Sequence, residues 1–167
     1  MIKCDSFNNN GWKFIDKEKK TQIIPYPRKK NPIKCGAIIF NSKLTEVILV
    51  QNKYLYQNGE IKFGLPKGHK ERNESFSQCA QREIYEETGL TINIADNMDK
   101  IKINNTYYYP IVLENDVKNL EPKDKVEIQK AIWVPINQVE TLNLNRETLT
   151  FINKKKTEVK QILQKYI

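Results

Sequence analysis

Short runs in which apolar and polar residues alternate occur along most of the chain, and this pattern predicts a fold rich in β-strands. Residues 34–40 and 47–51 are apolar runs joined by the polar Asn41-Ser42-Lys43, which predicts a hairpin-like pair. The polar residues 115–125 are expected to form an exposed loop. Further strands are predicted at residues 91–94, 101–103, 106–113 and about 128–134.

A segment near the middle repeats its apolar residues every four positions, as an amphipathic helix does. We expect this helix to begin near Asn73 or Glu74, with Asn73 as its N-cap and Ser75 as the weaker candidate. Gly89 is expected to end it, since glycine readily adopts the left-handed conformation of a helix C-terminus. The apolar stripe that would dock the helix on a sheet comprises Phe76, Ala80 and Ile84.

The C-terminal part of the chain has a second helical pattern. Pro135 can occupy the first turn of a short helix, and residues 146–166 are predicted to form a longer, basic, amphipathic one. Strands and helices intermixed in this order predict an α plus β fold. The predicted apolar side of the longer helix comprises Leu149, Ile152, Val159, Ile162 and Leu163.

Residues 1–33 differ from the rest and are interpreted as a basic lead-in to one domain formed by residues 34–167. Trp12 and Phe14 alternate with polar residues and predict an edge strand. Prolines at positions 25, 27 and 32 exclude a helix there. A chain of 167 residues is long enough to bury the core of a single domain of ordinary size.

The net charge of +8 is concentrated at the two ends of the chain. Residues 1–36 carry nine basic and three acidic groups, and residues 153–167 carry five and one. Basic ends around an acidic middle suit a long polyanion such as RNA. The 24 lysines against four arginines, with 18 asparagines and 21 isoleucines, equally indicate an AT-rich genome, such as that of a parasite, a protist or a large DNA virus. Both interpretations stay open.

The cysteines and the apolar runs indicate the compartment. Cys4, Cys35 and Cys79 are widely spaced and form no CxxC pair, which favours free thiols and a reducing compartment. The chain shows no signal peptide, and no apolar run approaches the roughly 20 residues of a membrane span. We therefore expect a soluble protein in the cytoplasm, or in the host cytoplasm if the source is viral, with no membrane partner.

Residues 68–90 carry the candidate chemistry. Positions three and four apart share one face of a helix, so Glu83, Glu86 and Glu87 are expected to project together. Three carboxylates this close repel one another unless a cation neutralises them. Ligand sets made only of oxygen favour Mg²⁺ or Mn²⁺ over zinc. The alternative is a solvated acidic helix face paired with lysines.

This stretch resembles the Nudix box, and every defined position of that motif is occupied. The resemblance implies an α/β/α sandwich with a mixed sheet, and hydrolysis of a diphosphate linkage in a nucleotide-type substrate. It implies metal binding by Glu83, Glu86 and Glu87, catalytic roles for Glu83, Glu87 and Arg82, and an ion pair between Glu74 and Arg82 that steadies the box. The matching residues are Gly68, Glu74, Arg82-Glu83-Ile84, Glu86-Glu87, Gly89 and Leu90.

A general base is expected beyond the box. Glu127-Ile128 followed by Trp133-Val134-Pro135-Ile136 resembles a segment that follows the box in mRNA-decapping Nudix enzymes. The resemblance implies that Glu127 is the base that deprotonates the attacking water. The alternatives are that Glu127 is an ordinary strand-edge carboxylate and that Glu83 orients the water.

The residues before the box bear on the substrate. Phe63-Gly64-Leu65-Pro66-Lys67-Gly68 is similar to the entry of decapping enzymes, while Pro66-Lys67-Gly68-His69 is also similar to dinucleoside tetraphosphate hydrolases. Lys67 would then contact phosphate or metal, unless it is a solvated loop lysine. His69 is expected to be a loop residue, and one of Tyr107, Tyr108 and Tyr109 is expected to face away from the core, where it could stack on a base.

The favoured implied substrate is the mRNA cap, cleaved to 7-methylguanosine diphosphate and 5′-monophosphate RNA, with RNA contacts through the basic ends. Dinucleoside polyphosphates and diphosphoinositol polyphosphates are the alternatives. A catalytically inactive nucleotide- or RNA-binding module is a further alternative. Such modules usually lack one or more box glutamates, and this chain has all of them.

Overall fold

The computed structural model of the protein describes residues 32–53, 60–115 and 117–165. Most of the N-terminal lead-in, including the predicted edge strand at Trp12 and Phe14, lies outside these residues. The helices are α1 (Phe76–Thr88), α2 (Arg146–Thr150) and α3 (Lys156–Leu163), accompanied by a 3₁₀ turn at Val139–Thr141 and a π-helical turn at Phe151–Lys155. The strands are β1 (Lys34–Phe40), β2 (Glu46–Asn52), β3 (Phe63–Gly64), β4 (Lys67–His69), β5 (Ile101–Ile103), β6 (Thr106–Val112) and β7 (Ile128–Pro135).

These strands form one mixed sheet, and the sheet forks between β1 and β2. β1 is parallel to β6 along its whole length, from Lys34↔Thr106 to Phe40↔Val112. In the described part of the chain β1 meets β2 only at Phe40↔Val47, whereas β2 pairs along its length with β7. Two short strands fill the fork: β3 pairs with β2, and β4 pairs with β1. The turn that leads into α1 therefore lies in the middle of the sheet.

The sheet has an apolar layer on each face, because successive side chains of a strand point to opposite faces. The odd-numbered residues of β1 pack with α1. The even-numbered Ile38 and Phe40 pack with Phe151 and Val159 of the C-terminal helices. Helices thus cover both faces of a mixed sheet, which confirms the predicted α/β/α sandwich.

Helix α1 begins later than the sequence pattern suggests. Its N-cap is Ser75, whose hydroxyl accepts the backbone N–H of Gln78 at 3.2 Å, while the Gln78 side chain accepts the N–H of Ser75 at 2.8 Å. The prediction of Asn73 as the cap is wrong, because this reciprocal pair satisfies two N–H groups at once. Gly89 ends the helix as predicted, with φ of 79° and its N–H donated to the Tyr85 carbonyl.

Two segments predicted to be regular elements are not. Residues 91–94 form no strand, although Ile94 is buried and Ile92 is half-buried against the α1 layer. Their alternation reflects packing without a hydrogen-bonded neighbour strand. Pro135 does not begin a helix; it ends β7 opposite Glu46, and the chain turns before the 3₁₀ residues.

The helix predicted at residues 146–166 is interrupted at its centre. Asn145 caps α2 by accepting the N–H of Thr148 at 2.9 Å. The following π-helical turn is wider than an α-turn and shifts the phase of the side chains. Phe151 is buried as a result, whereas Leu149, predicted on the apolar side, is 42% exposed. No helix among the described residues is both long and apolar enough to span a bilayer.

Candidate active site

Two glycines permit close contacts around β4. A Cβ atom on Gly36 would lie 2.0 Å from the carbonyl oxygen of Pro66, so β1 can meet the turn only with glycine there. A Cβ atom on Gly68 would lie 2.0 Å from a carboxylate oxygen of Glu83. The two glycines therefore let the backbone of β4 lie directly against the acidic face of α1.

Glu87 is buried at the edge of β4, with 6% of its surface exposed. Its Oε2 atom accepts the backbone N–H of Lys67 at 2.8 Å. Burial raises the pKa of Glu87 to about 8, although the N–H bond and the charge of Lys67 act in the opposite direction; the carboxylates of Glu83 and Glu127 add to the rise. The ionised form of Glu87 is thus destabilised, and a bound cation would relieve this.

The Arg82 guanidinium links three of the acidic residues of the box. It forms a bidentate pair with Glu74, at 3.1 and 2.9 Å. Its Nη1 atom donates to Glu83 at 2.7 Å and to Glu86 at 3.0 Å, and Nη2 donates to the carbonyl oxygen of His69 at 3.0 Å. The hydrogen bonds from Arg82 lower the pKa of Glu74 to about 2. The expected Glu74–Arg82 ion pair is present and extends to two of the candidate metal ligands.

The donor atoms suit a hard divalent cation, but no three candidate ligands converge on one point in residues 32–53, 60–115 and 117–165. Arg82 Nη1 lies between Glu83 and Glu86 and takes the position of a cation there. Burial raises the pKa of Glu83, and the hydrogen bond from Arg82 opposes the rise. Buried, destabilised carboxylates at Glu83 and Glu87 fit Mg²⁺ or Mn²⁺. The half-exposed Glu86 would have to leave Arg82 to join them.

Glu127 is exposed and lies just before β7. Its backbone N–H donates to Asp124 Oδ1 at 3.0 Å, and its carbonyl oxygen accepts the N–H of Lys53 at 2.7 Å. Its negative charge helps to raise the pKa of both Glu83 and Glu87. The fold therefore brings this carboxylate close to the box, although some forty residues separate them along the chain.

Glu147 is a polar residue at the site that the sequence did not indicate. It lies in the first turn of α2, with 17% of its side chain exposed, and its Oε2 atom is 3.4 Å from the Lys67 ammonium. The Thr106 hydroxyl donates to its Oε1 at 2.7 Å, and the Tyr108 hydroxyl donates to its Oε2 at 3.0 Å. Acidic residues are common in the first turn of a helix, so the sequence shows no sign of a special role for Glu147. Its contacts with Lys67, Thr106 and Tyr108 become visible only once the strands are paired.

The remaining candidates take structural positions. His69 ends β4 rather than lying in a loop. Tyr108 and Tyr109 are fully buried. Tyr107 is half-buried and packs edge-on against Phe76, with ring centroids 4.8 Å apart. Tyr107 is therefore the most outward of the three tyrosines, and it faces the α1 layer.

Comparisons with known proteins agree with this architecture. The model of the NUDIX domain matches residues 30–155. A putative hydrolase, 111R, from Invertebrate iridescent virus 3 is 34% identical over 85 residues, which are 49% of this chain and 50% of the viral protein. The m7GpppN-mRNA hydrolase of Saccharomyces cerevisiae is 29% identical over 134 residues, which are 77% of this chain and 13% of the yeast protein. The chain thus spans half or less of the length of these curated relatives.

Solved structures share the fold. The NUDIX domain of Shewanella oneidensis NrtR, determined with ADP-ribose, has a TM-score of 0.62 at 19% identity and covers 78% of this chain and 90% of that domain. An Ap4A hydrolase of C. elegans has a TM-score of 0.53 at 17% identity and covers 78% and 98%. At these identities the likeness shows the fold alone. The family model covers most of the chain and includes the whole acidic helix, so the chain belongs to the Nudix family of hydrolases.

Proposed function

We propose that the protein is a metal-dependent hydrolase that cleaves the mRNA cap to 7-methylguanosine diphosphate and 5′-monophosphate RNA. The observation that carries the hydrolase assignment is the pair of buried carboxylates at the fork of the sheet. Glu87 is held by the Lys67 N–H and Glu83 by Arg82, and burial raises the pKa of both carboxylates. Ionising both carboxylates in this buried place is costly, and a bound divalent cation would offset that cost.

Three features support the cap as the substrate. Relatives named as decapping enzymes from budding and fission yeast align over 77% and 81% of this chain, at 29% and 26% identity. The segment around Glu127 resembles theirs and lies close to the box. The basic ends of the chain would attract the RNA body.

The proposed reaction assigns each residue a task. A divalent cation held by Glu83, Glu86 and Glu87 would neutralise phosphate oxygens and so favour attack at phosphorus. Glu127 would accept a proton from the attacking water while the water oxygen bonds to phosphorus and the bridging P–O bond breaks. The electron pair of that bond leaves with the departing phosphate oxygen. The Lys67 N–H keeps Glu87 in place throughout.

A substrate panel tests this proposal. Capped RNA, dinucleoside tetraphosphate and diphosphoinositol polyphosphate are compared at matched concentration with Mg²⁺ or Mn²⁺, and products are identified by chromatography. We expect release of 7-methylguanosine diphosphate from capped RNA to be fastest. Faster turnover of either small molecule would overturn the cap assignment. A Glu87→Gln preparation, purified identically, controls for contaminating hydrolases.

Glu127→Gln should lower kcat by about 10² to 10⁴, the range typical for loss of a general base. The isosteric amide cannot accept the proton, and the fold should persist because the side chain is exposed, which thermal unfolding checks. Glu121→Gln, an exposed glutamate in the same loop, is the matched control. An unchanged rate in Glu127→Gln would clear Glu127 of this role and favour Glu83 as the residue that orients the water.

Dinucleoside polyphosphates are the second candidate. The sequence Pro66-Lys67-Gly68-His69 favours them, and the ammonium of Lys67 is held in a fixed place by Glu147. An inactive sensor module is a third possibility, against which stands the presence of all box glutamates. Absence of turnover on every member of the panel, with retained nucleotide binding, would favour the sensor.

A further inference from the structure

Three neighbouring strands place polar side chains on the face of the sheet opposite to the acidic helix α1. Register partners point to the same face, and Lys34 pairs with His69 on β4 and with Thr106 on β6. Gly36 pairs with Lys67 and Tyr108 in the same way, so all these side chains share the face covered by α2. The cluster, termed here the basic face, comprises Lys34, Lys67, His69, Thr106, Tyr108 and Glu147.

Lys34 is a half-buried cation without a counter-ion in the described part of the chain. No carboxylate there lies within ion-pair distance of its ammonium, although Glu147 neutralises Lys67 nearby. Burial lowers the pKa of Lys34 and the positive charge of Lys67 lowers it further, while the negative charges of Glu147, Glu87 and Glu127 act in the opposite direction. Two ammonium groups held together in partial burial repel each other, and a bound anion would remove that repulsion.

Backbone hydrogen bonds fix the strands that carry the two lysines. The Lys34 N–H donates to the Asn105 carbonyl at 3.2 Å. The end of β4 is joined to the start of β1 by the Lys70 N–H, which donates to the Ile33 carbonyl at 2.9 Å. Glu147 fixes the Lys67 ammonium and is itself oriented by two hydroxyl groups. An ammonium has three N–H donors, so Lys67 keeps donors available for a second acceptor.

We propose that Lys34 and Lys67 form an anion site that binds a substrate phosphate lying beyond the cleaved diphosphate. This inference rests on the proposed hydrolase function and deepens it. Lys67 connects the two sites, because its backbone N–H binds Glu87 while its side chain lies on the basic face. A substrate that fills both sites has at least three linked phosphates, as caps and dinucleoside polyphosphates do, whereas a nucleotide sugar with a diphosphate bridge fills only one.

Binding of inorganic tripolyphosphate to the full chain tests the anion site without metal. Measured by calorimetry in EDTA, Lys34→Gln should weaken binding by about tenfold, the factor for loss of one charge-assisted hydrogen bond. Lys102→Gln is the matched control, since it removes the same charge from the opposite face of the sheet, where Lys102 lies over the Tyr107 ring. Lys34→Arg should restore most of the affinity. Equal affinities for wild type, Lys34→Gln and Lys102→Gln would overturn the proposal.

Kinetics separate this inference from the proposed function. Lys34→Gln should raise KM for a substrate with a triphosphate or longer bridge by a similar factor, and should leave KM for ADP-ribose unchanged. If the wild type hydrolyses nothing but Lys34→Gln still loses tripolyphosphate binding, the hydrolase proposal fails and the anion site stands. If hydrolysis proceeds and the variant has wild-type KM and binding, the anion site is wrong. Thermal unfolding of each variant confirms that it folds.

Discussion

Replacing Glu87 with glutamine should lower the rate of hydrolysis by about 10³-fold or more, because the loss of a carboxylate ligand removes several kcal/mol of charge stabilisation in the transition state. The fold should persist, since the glutamine amide oxygen can still accept the Lys67 N–H that Glu87 accepts at 2.8 Å. The rate is measured on the best substrate of the panel at saturating Mg²⁺. Glu140→Gln, at an exposed glutamate of the 3₁₀ turn, is the control and should have the wild-type rate.

The same substitution should stabilise the metal-free protein at alkaline pH. Burial raises the pKa of Glu87 from 4.5 to about 8. A carboxyl group whose pKa is raised in the folded state contributes stability that is fully present below pH 4.5 and is lost as the pH rises through about 8. Above that pH the wild type carries a destabilising buried charge, and Glu87→Gln does not.

Urea denaturation in EDTA measures this effect. The free energy of unfolding of the wild type should fall between pH 5 and pH 9 by an amount on the order of a few kcal/mol more than that of Glu87→Gln. Mg²⁺ should raise the wild-type stability at pH 9 and have little effect on the variant, because a ligand stabilises only the state that binds it. Identical pH dependence in the two proteins would contradict the assignment of Glu87 as a buried, destabilised carboxyl group.

Arg82→Ala should destabilise the protein by about 2 kcal/mol, at the low side of values for a broken buried ion pair because the arginine side chain is 28% exposed. The substitution removes the Arg82 donor from the Glu74 and Glu83 side chains, 13% and 10% exposed. It leaves Glu74 with the Glu71 N–H at 2.6 Å. Arg72→Ala removes the same charge from an exposed position in the preceding turn and should change stability little. Urea denaturation at neutral pH compares the three proteins.

The destabilisation caused by Arg82→Ala should decrease as the pH falls. Arg82 lowers the pKa of Glu74 to about 2, so this pair contributes stability above pH 4.5 that is lost as the pH falls towards 2. The difference in unfolding free energy between wild type and Arg82→Ala should therefore shrink between pH 5 and pH 3. Adding Glu74→Gln to Arg82→Ala should cost less than Glu74→Gln costs alone. Additive effects would show that the two residues are not coupled.

Some features of the fold could be predicted because they depend on local spacing. The alternating runs of β1 and β6 and the four-residue repeat that buries Ala80 and Ile84 reflect which side of an element faces a core. Gly89 ends α1 because its left-handed conformation is a local requirement. Where several local choices compete, as at Asn73 and Ser75, only the side-chain geometry of the cap distinguishes them.

The interruption of the C-terminal helix could not be predicted from the same rules. A continuous α-helix would place Leu149 on the apolar side. The π-helical turn is wider than an α-turn, so Phe151 faces the core instead. Its ring packs edge-on against Phe40, with the ring centroids 6.4 Å apart. The segment between β3 and β4 contacts α2 through the bond from the Leu65 N–H to the Thr148 hydroxyl at 3.2 Å. This contact joins residues far apart in the sequence.

The sequence by itself determined the family, the acidic face of α1 and the Glu74–Arg82 pair, because all of these lie within one helix and its preceding turn, where spacing dictates geometry. The sequence also offered Glu127 as a candidate. Only the tertiary structure decided which carboxylates are buried, that Arg82 occupies the place between Glu83 and Glu86, and that Glu147 contacts Lys67. The physical reason is that burial and charge proximity depend on how the strands pair. The parallel register of β1 with β6, and the insertion of β4 into the fork, bring Lys34, Lys67 and Glu147 together from three distant parts of the chain.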